Sequence, residues 1–258
     1  MKVIVCEDYE DISAQAADEI AALIRRKPDC VLGLATGSTP EGMYRRLCEY
    51  YGAGRLDFSG VTTVNLDEYY PISPENPQSY RFFMNHVLFD RINIRPEHTH
   101  IPDGTAEDAD AACRDYERTI RTLGGVDLQV LGIGQNGHIG FNEPAEALFP
   151  LTHKAVLTEN TVCANARFFE HIEDVPRHAL TMGMKTILSA RRILVLANGK
   201  NKASAVATML SGLVRTSCPA SFLNLHADVT LFCDRDALSE TELPADALES
   251  GEKECVNI

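Results

Sequence analysis

An α/β protein with a mostly parallel sheet covered by helices on both faces is what this chain of 258 residues predicts. Short apolar runs alternate with amphipathic stretches from one end to the other. The runs are apolar throughout rather than at every second residue, the pattern of strands buried on both faces. No Pro/Ser-rich linker, internal repeat or low-complexity tract divides the sequence. A single three-layer α/β/α domain over residues 1–258 is therefore expected, with one irregular segment serving as a lid over about residues 144–182.

The elements follow in order. Lys2 to Cys6 reads as a buried strand. Ile12, Ala16, Ile20, Leu23 and Ile24 fall at helical spacing and form one apolar stripe. Cys30 to Ala35 is strand again, and Pro40 opens a helix with Met43, Leu47 and Tyr50 on one face. Val61 to Leu66 is the third strand. Tyr80, Phe83, Met84, Val87 and Leu88 mark a helix, as do Ala109, Cys113, Tyr116, Ile120 and Leu123. Asp127 to Ile133 and Arg192 to Ala197 are strands, Lys202 to Leu213 is a helix, and Val229 to Cys233 is the last strand. The stretch from about Pro144 to Pro176 is long, polar and weakly periodic, which suits a lid or binding loop.

Composition narrows the function. Hydrophobic residues make up 45% and charged residues 24%, as in ordinary globular domains. The formal charge of −13 argues against nucleic acid and anionic membrane as partners, so an anionic ligand needs a local basic site. No apolar run approaches the ~18 residues of a membrane span, and Met1 to Glu10 lacks the basic n-region of a secretion signal. The eight cysteines are scattered with no C-x-x-C pair, which suits core thiols in a reducing, cytoplasmic setting. No metal site or cofactor is expected: His98 and His100 lack a carboxylate cluster, and there is no H-E-x-x-H motif. With no nucleophile elbow and no cysteine beside a histidine, a covalent hydrolase has no support.

In an open α/β sheet, ligands sit beyond the carboxyl ends of the strands, so the loops there are where chemistry is expected. Thr36-Gly37-Ser38-Thr39-Pro40 places two hydroxyl types and a glycine at a helix N-terminus, where free N–H groups bind anions. The same residues would also make a plain helix cap. Asn65-Leu66-Asp67-Glu68-Tyr69 ends a strand with two adjacent acids. Neighbours on an extended backbone face opposite ways, so only one of Asp67 and Glu68 can enter a pocket as general base. The alternative is an acidic turn before Pro71. The third loop is Gly132-Ile133-Gly134-Gln135-Asn136-Gly137-His138-Ile139-Gly140-Phe141-Asn142-Glu143-Pro144. Its G-x-G-x-x-G match is not a dinucleotide fingerprint, because Gly140, Asn142 and Pro144 forbid the helix that must follow. A glycine-dense loop instead presses close to a ligand, and His138 with Glu143 nearby makes an oriented proton carrier or a structural histidine. Arg167 in the lid and Lys202 near a helix start could complete an anion site.

Taken together, Thr-Gly-Ser-Thr-Pro, Asn-Leu-Asp-Glu-Tyr and Gly-Ile-Gly-Gln-Asn-Gly-His-Ile-Gly-Phe-Asn-Glu-Pro closely resemble the glucosamine-6-phosphate deaminase family, over nearly the whole chain. The resemblance implies a Rossmann-like fold and an enzyme that opens the pyranose of glucosamine 6-phosphate, moves a proton from C2 to C1 and releases ammonia. It implies that Asp67 is the enolisation base, that His138 shuttles the ring-oxygen proton, that Glu143 orients His138, and that Thr36, Gly37, Ser38, Thr39, Arg167 and Lys202 bind the phosphosugar. Many members carry aspartate where this chain has Asn136, which can orient the histidine but cannot share its positive charge. Some bacterial members are hexamers activated by N-acetylglucosamine 6-phosphate. Here Glu146 replaces a serine of that site, and its basic pair is reduced to His153 and Ala155, so no such activation is expected. A homo-oligomer remains open. The alternatives are a galactosamine-6-phosphate deaminase, a 6-phosphogluconolactonase-like hydrolase and a non-catalytic sugar-phosphate sensor.

Overall fold

Strand and helix alternate from the first residues, as the apolar pattern demands: β1 (Lys2–Cys6), α1 (Tyr9–Arg26), β2 (Val31–Leu34), α2 (Ser38–Gly52) and β3 (Thr62–Asn65). The computed structural model describes residues 1–159, 162, 171, 174–241 and 255–257. After β3 come β4 (Asp67–Tyr70), α3 (Tyr80–Val87), β5 (Thr99–His100), α4 (Ala109–Thr122), β6 (Leu128–Gly132), β7 (His153–Val156) and β8 (His178–Thr181). The chain then forms α5 (Met184–Leu188), β9 (Ile193–Ala197), α6 (Ala203–Leu210), β10 (Val229–Asp234) and β11 (Cys255–Asn257).

The main sheet runs β11-β1-β10-β9-β6-β2-β3-β5. Its seven strands from β1 to β5 are parallel, and β11 joins the β1 edge antiparallel. Alternation along β9 shows why its apolar run is unbroken. Leu194 and Leu196 pack with the α1 and α2 side, while Ile193, Val195 and Ala197 pack with α4, α5 and α6. Both faces are thus covered, giving the three layers. From β2 the chain moves outward through β3 to β5, then returns to the other side of β2 with β6. The loops after β2 and β6 therefore diverge at this reversal and open a crevice between them.

The opposite end of these two strands is tied shut. Asp127, just before β6, accepts from the Val31 amide of β2 at 2.8 Å and from Lys27 Nζ at 2.7 Å, and it also binds Arg191.

A second sheet, β4-β8-β7, is antiparallel. The expected third strand ran to Leu66 and gave way to a loop, but the chain turns at Leu66 and begins β4 at once. No glycine or proline marks this turn. Two strands, β7 and β8, also lie within the segment expected to be an irregular lid. Leu180 of this sheet packs with α4, while Tyr69, Ala155 and Ala179 pack with Phe141. Among the described residues, no helix is long and apolar enough to cross a membrane. Cys6, Cys30, Cys48, Cys113, Cys218 and Cys233 are free thiols, all but Cys48 buried.

Candidate active site

The loops at the carboxyl ends of β2, β3, β6 and β9 surround a cleft of about 690 Å³. Thr36 and Thr39 line it from the loop after β2. Asp67 enters after β3, Asn136 and His138 after β6, and Lys202 after β9. Gly37 and Ser38 are exposed at the start of α2 in the same loop.

Helix α2 begins at Ser38, two residues earlier than Pro40 would mark. Proline is tolerated there because its missing N–H lies within the first turn, which has no intrahelical partners. Gly37 occupies the cap position and no side chain caps the helix, so the plain-cap alternative does not describe this terminus. Tyr9 braces the turn instead: its hydroxyl donates to the Ser38 carbonyl at 2.9 Å and accepts from the Gly42 amide at 2.8 Å. Lys202 is half-buried, and burial pulls its ammonium below the usual lysine range. A desolvated cation facing an unpaired helix start is a site for an anion.

Strand alternation separates the two acids as expected. Asp67 faces the cleft with only 5% of its surface exposed. Burial, and secondarily the charge of Glu68, push its carboxyl up to about 8. Glu68 points away and accepts the amides of Tyr69, Tyr80 and Arg81, so neither acid is a mere turn residue. Gly140 lies against Asp67. It holds φ +56°, and a Cβ there would fall 3.1 Å from Asp67 Oδ2 and 2.9 Å from Thr181 Oγ1.

His138, Asn136 and Glu143 form a closed cluster. Asn136 Nδ2 donates to Glu143 Oε2 at 2.7 Å, and Asn136 Oδ1 accepts the His138 amide at 3.2 Å. His138 Nδ1 lies 3.5 Å from Glu143 Oε1, an ion-pair approach longer than a hydrogen bond. Such contacts in free enzymes commonly tighten on substrate binding. Gly134 lets the imidazole lie on the backbone, since a Cβ there would sit 2.4 Å from the ring. The glycines of this loop therefore serve histidine packing. The loop opens no helix.

Arg167 lies outside the described residues. Tyr80 was legible only as an apolar helix residue, yet it lines the cleft and its hydroxyl interacts with the side chains of Tyr69 and Thr36. Thr181 was also missed. It pairs in register with Asp67 across β4 and β8, and its hydroxyl accepts the Phe141 amide at 3.1 Å. Among the described residues, no group of three or more His, Cys, Asp or Glu could hold a metal ion. The arrangement offers two separate proton carriers and an anion-binding corner within one cleft.

Comparison with known proteins gives a consistent set of likenesses. The family model described as glucosamine-6-phosphate isomerases/6-phosphogluconolactonase matches residues 7–232. A glucosamine-6-phosphate deaminase of Halothermothrix orenii is 56% identical over 239 residues, 93% of this chain and 99% of the relative. Glucosamine-6-phosphate deaminase 1 of Bacillus subtilis is 51% identical over the same shares of the two chains. Among solved structures, a monomeric glucosamine-6-phosphate deaminase superposes with a TM-score of 0.90 at 51% identity, covering 93% of this chain and 100% of its own. A 6-phosphogluconolactonase from Thermotoga maritima reaches a TM-score of 0.70 at 22% identity, covering 90% of this chain and 98% of its own, a likeness of fold alone.

Proposed function

The chain belongs to the glucosamine-6-phosphate isomerase/6-phosphogluconolactonase family, and from that membership we infer a glucosamine-6-phosphate deaminase. The enzyme isomerises and deaminates glucosamine 6-phosphate, with water, to fructose 6-phosphate and ammonia. The observation that carries the residue assignment is the meeting of Asp67, at the start of β4, and His138, from the loop after β6, in one cleft with Lys202. Asp67 takes the C2 proton of the open-chain sugar and returns it at C1. Its buried carboxyl, held up to about 8, is a stronger base once ionised than an ordinary aspartate. His138 moves the ring-oxygen proton during ring opening, with Glu143 and Asn136 orienting it. Thr36 to Thr39 and Lys202 hold the phosphate, and the family resemblance adds Arg167 to this set.

The activator site expected to be absent has little to build on. Glu146 is exposed in a loop, Ala155 is buried in β7, and burial pulls the His153 imidazole below its usual value. His153 is further occupied by stacking on Phe149, with ring centroids 4.4 Å apart. N-acetylglucosamine 6-phosphate should therefore leave the substrate saturation curve unchanged. The free thiols suit a reducing cytoplasm.

The deciding experiment is ammonia release from purified protein, with galactosamine 6-phosphate and Asp67→Asn alongside. Release from the glucosamine ester, abolished in the variant, supports both the reaction and the base. No release from either ester removes the deaminase reading. Turnover surviving in Asp67→Asn removes the base assignment alone.

A further inference from the structure

Glu68 is buried beside the base, with 2% of its surface exposed, and the reaction as assigned gives it no task. We propose that Glu68 is a positioning residue: its carboxylate fastens β4 to the start of α3, and so fixes the direction of the Asp67 carboxylate and the reach of Tyr80 to the phosphate loop.

The geometry is a three-point attachment. Oε1 accepts the amides of Tyr69 at 2.9 Å and Tyr80 at 2.7 Å, and Oε2 accepts the amide of Arg81 at 2.9 Å. Ser79 Oγ accepts the next amide, Phe82, at 3.0 Å. The first three amides of α3 are therefore satisfied, two of them by an acid from another element. A helix N-terminus favours a negative charge there. What this end of α3 delivers is Tyr80. It lines the cleft beside Thr36, with which its hydroxyl interacts, and its ring lies parallel to Phe141 at 6.1 Å between centroids. Glu68 thus joins the strand of the general base to the loop assigned to phosphate, through one helical turn. Because successive strand residues face opposite ways, locking Glu68 outward also locks Asp67 inward.

A second consequence is electrostatic. Burial raises the Glu68 carboxyl above its ordinary value while the three converging amides oppose that rise, and a charge on Glu68 beside Asp67 resists a second charge. The other groups that face Asp67 are few. Tyr80 of α3 and Tyr116 of α4 interact with it, His138 and Lys202 share its cleft, and β8 opposes it with the uncharged Thr181.

This inference rests on Asp67 as the base, and the test separates the two. Glu68→Gln keeps the size, removes the charge and turns an amide donor toward an amide of α3. Its kcat should fall about fivefold or more, because the base is weaker and less well aimed. The acid limb of kcat/KM should move to lower pH by about one unit, since Asp67 then ionises without a neighbouring charge. An unmoved limb overturns the proposal, whether or not kcat falls, because a purely structural acid would not set the proton affinity of Asp67. Activity surviving in Asp67→Asn instead removes the base assignment. If Glu68→Gln cannot be recovered folded, Tyr80→Phe decides the attachment. KM should rise about three- to tenfold with the limb unmoved, as expected when the hydroxyl's polar contact to Thr36 is lost, and an unchanged KM overturns the proposal.

Discussion

A methyl group at Gly140 tests whether the base is placed by contact. In Gly140→Ala the new Cβ meets Thr181 Oγ1 at 2.9 Å and Asp67 Oδ2 at 3.1 Å, both closer than carbon and oxygen comfortably approach. Thr181 is fully buried and already accepts the Phe141 amide, so it has little room to retreat. Asp67, at the edge of a cleft, is the side that yields. The φ of +56° adds a left-handed conformation that costs a non-glycine residue about 1–2 kcal/mol. Together these should destabilise the protein by about 2–3 kcal/mol, a fall of roughly 4–10 °C in Tm for a chain of this size. Displacing a reacting group by a few tenths of an ångström should lower kcat about tenfold or more, with KM changed less. Gly54→Ala is the control, because Gly54 has φ +68° and nothing within 4 Å of its Cβ position. That variant should pay the conformational cost and keep kcat within about twofold. Steady-state ammonia release and thermal melts on both proteins check this. If Gly140→Ala turns over as fast as the parent, or Gly54→Ala loses as much activity, contact with Asp67 is not what places the base.

Three further outcomes follow from named groups. Lys202→Ala should raise KM about 10- to 100-fold with a smaller change in kcat, the worth of a charge-assisted bond to phosphate, and inorganic phosphate should weaken in parallel as a competitive inhibitor. Asp67→Asn should abolish turnover yet stabilise the fold, by an amount that grows with pH. Between the ordinary carboxylate value and about 8 the folded chain keeps a proton that the unfolded chain releases, so the parent loses stability as pH rises through that window. A Tm difference between parent and variant that does not change from pH 5 to 8 would refute it. Asp127→Ala should cost about 1–3 kcal/mol, chiefly by leaving the buried Val31 amide without its partner at the far end of the sheet, while KM stays unchanged.

The parts of the fold that were legible are those where one physical rule acts alone. β9 is apolar at every residue because both faces are covered, and α1 shows its stripe because only one face is. The carboxyl-end loops were legible because glycine, proline and hydroxyl residues have few reasons to cluster there. The antiparallel sheet was not, since its strands are four residues each and Leu66 alone separates β3 from β4. A polar hairpin strand such as His153–Val156 has neither an unbroken apolar run nor a long alternation to mark it. Tyr80 and Thr181 escaped for a different reason. A tyrosine within an apolar stripe reads as core, and only tertiary contact shows that its hydroxyl reaches Thr36.

That second sheet explains why Asp67 and His138, the two proposed proton carriers, differ in setting. Asp67 is a strand residue, paired with β8 and packed against Gly140, so its backbone is set by the sheet. His138 sits in a loop, with about a third of its side chain exposed and its Glu143 contact still open at 3.5 Å. Under the proposed assignment the division is physically apt. Removing a C2 proton requires a base held at one distance and angle from carbon, and misplacement there is costly. Opening and closing a ring requires a group that gives up a proton and takes it back, and an imidazole with room to move can do both. Buried between two sheets, the carboxylate is fixed and its proton affinity is high. Set on glycine-rich backbone, the histidine keeps about a third of its side chain in contact with solvent. Exchanging the two side chains would keep both functional groups in the cleft and lose both properties, so the backbone under each residue is as much a part of the chemistry as the side chain.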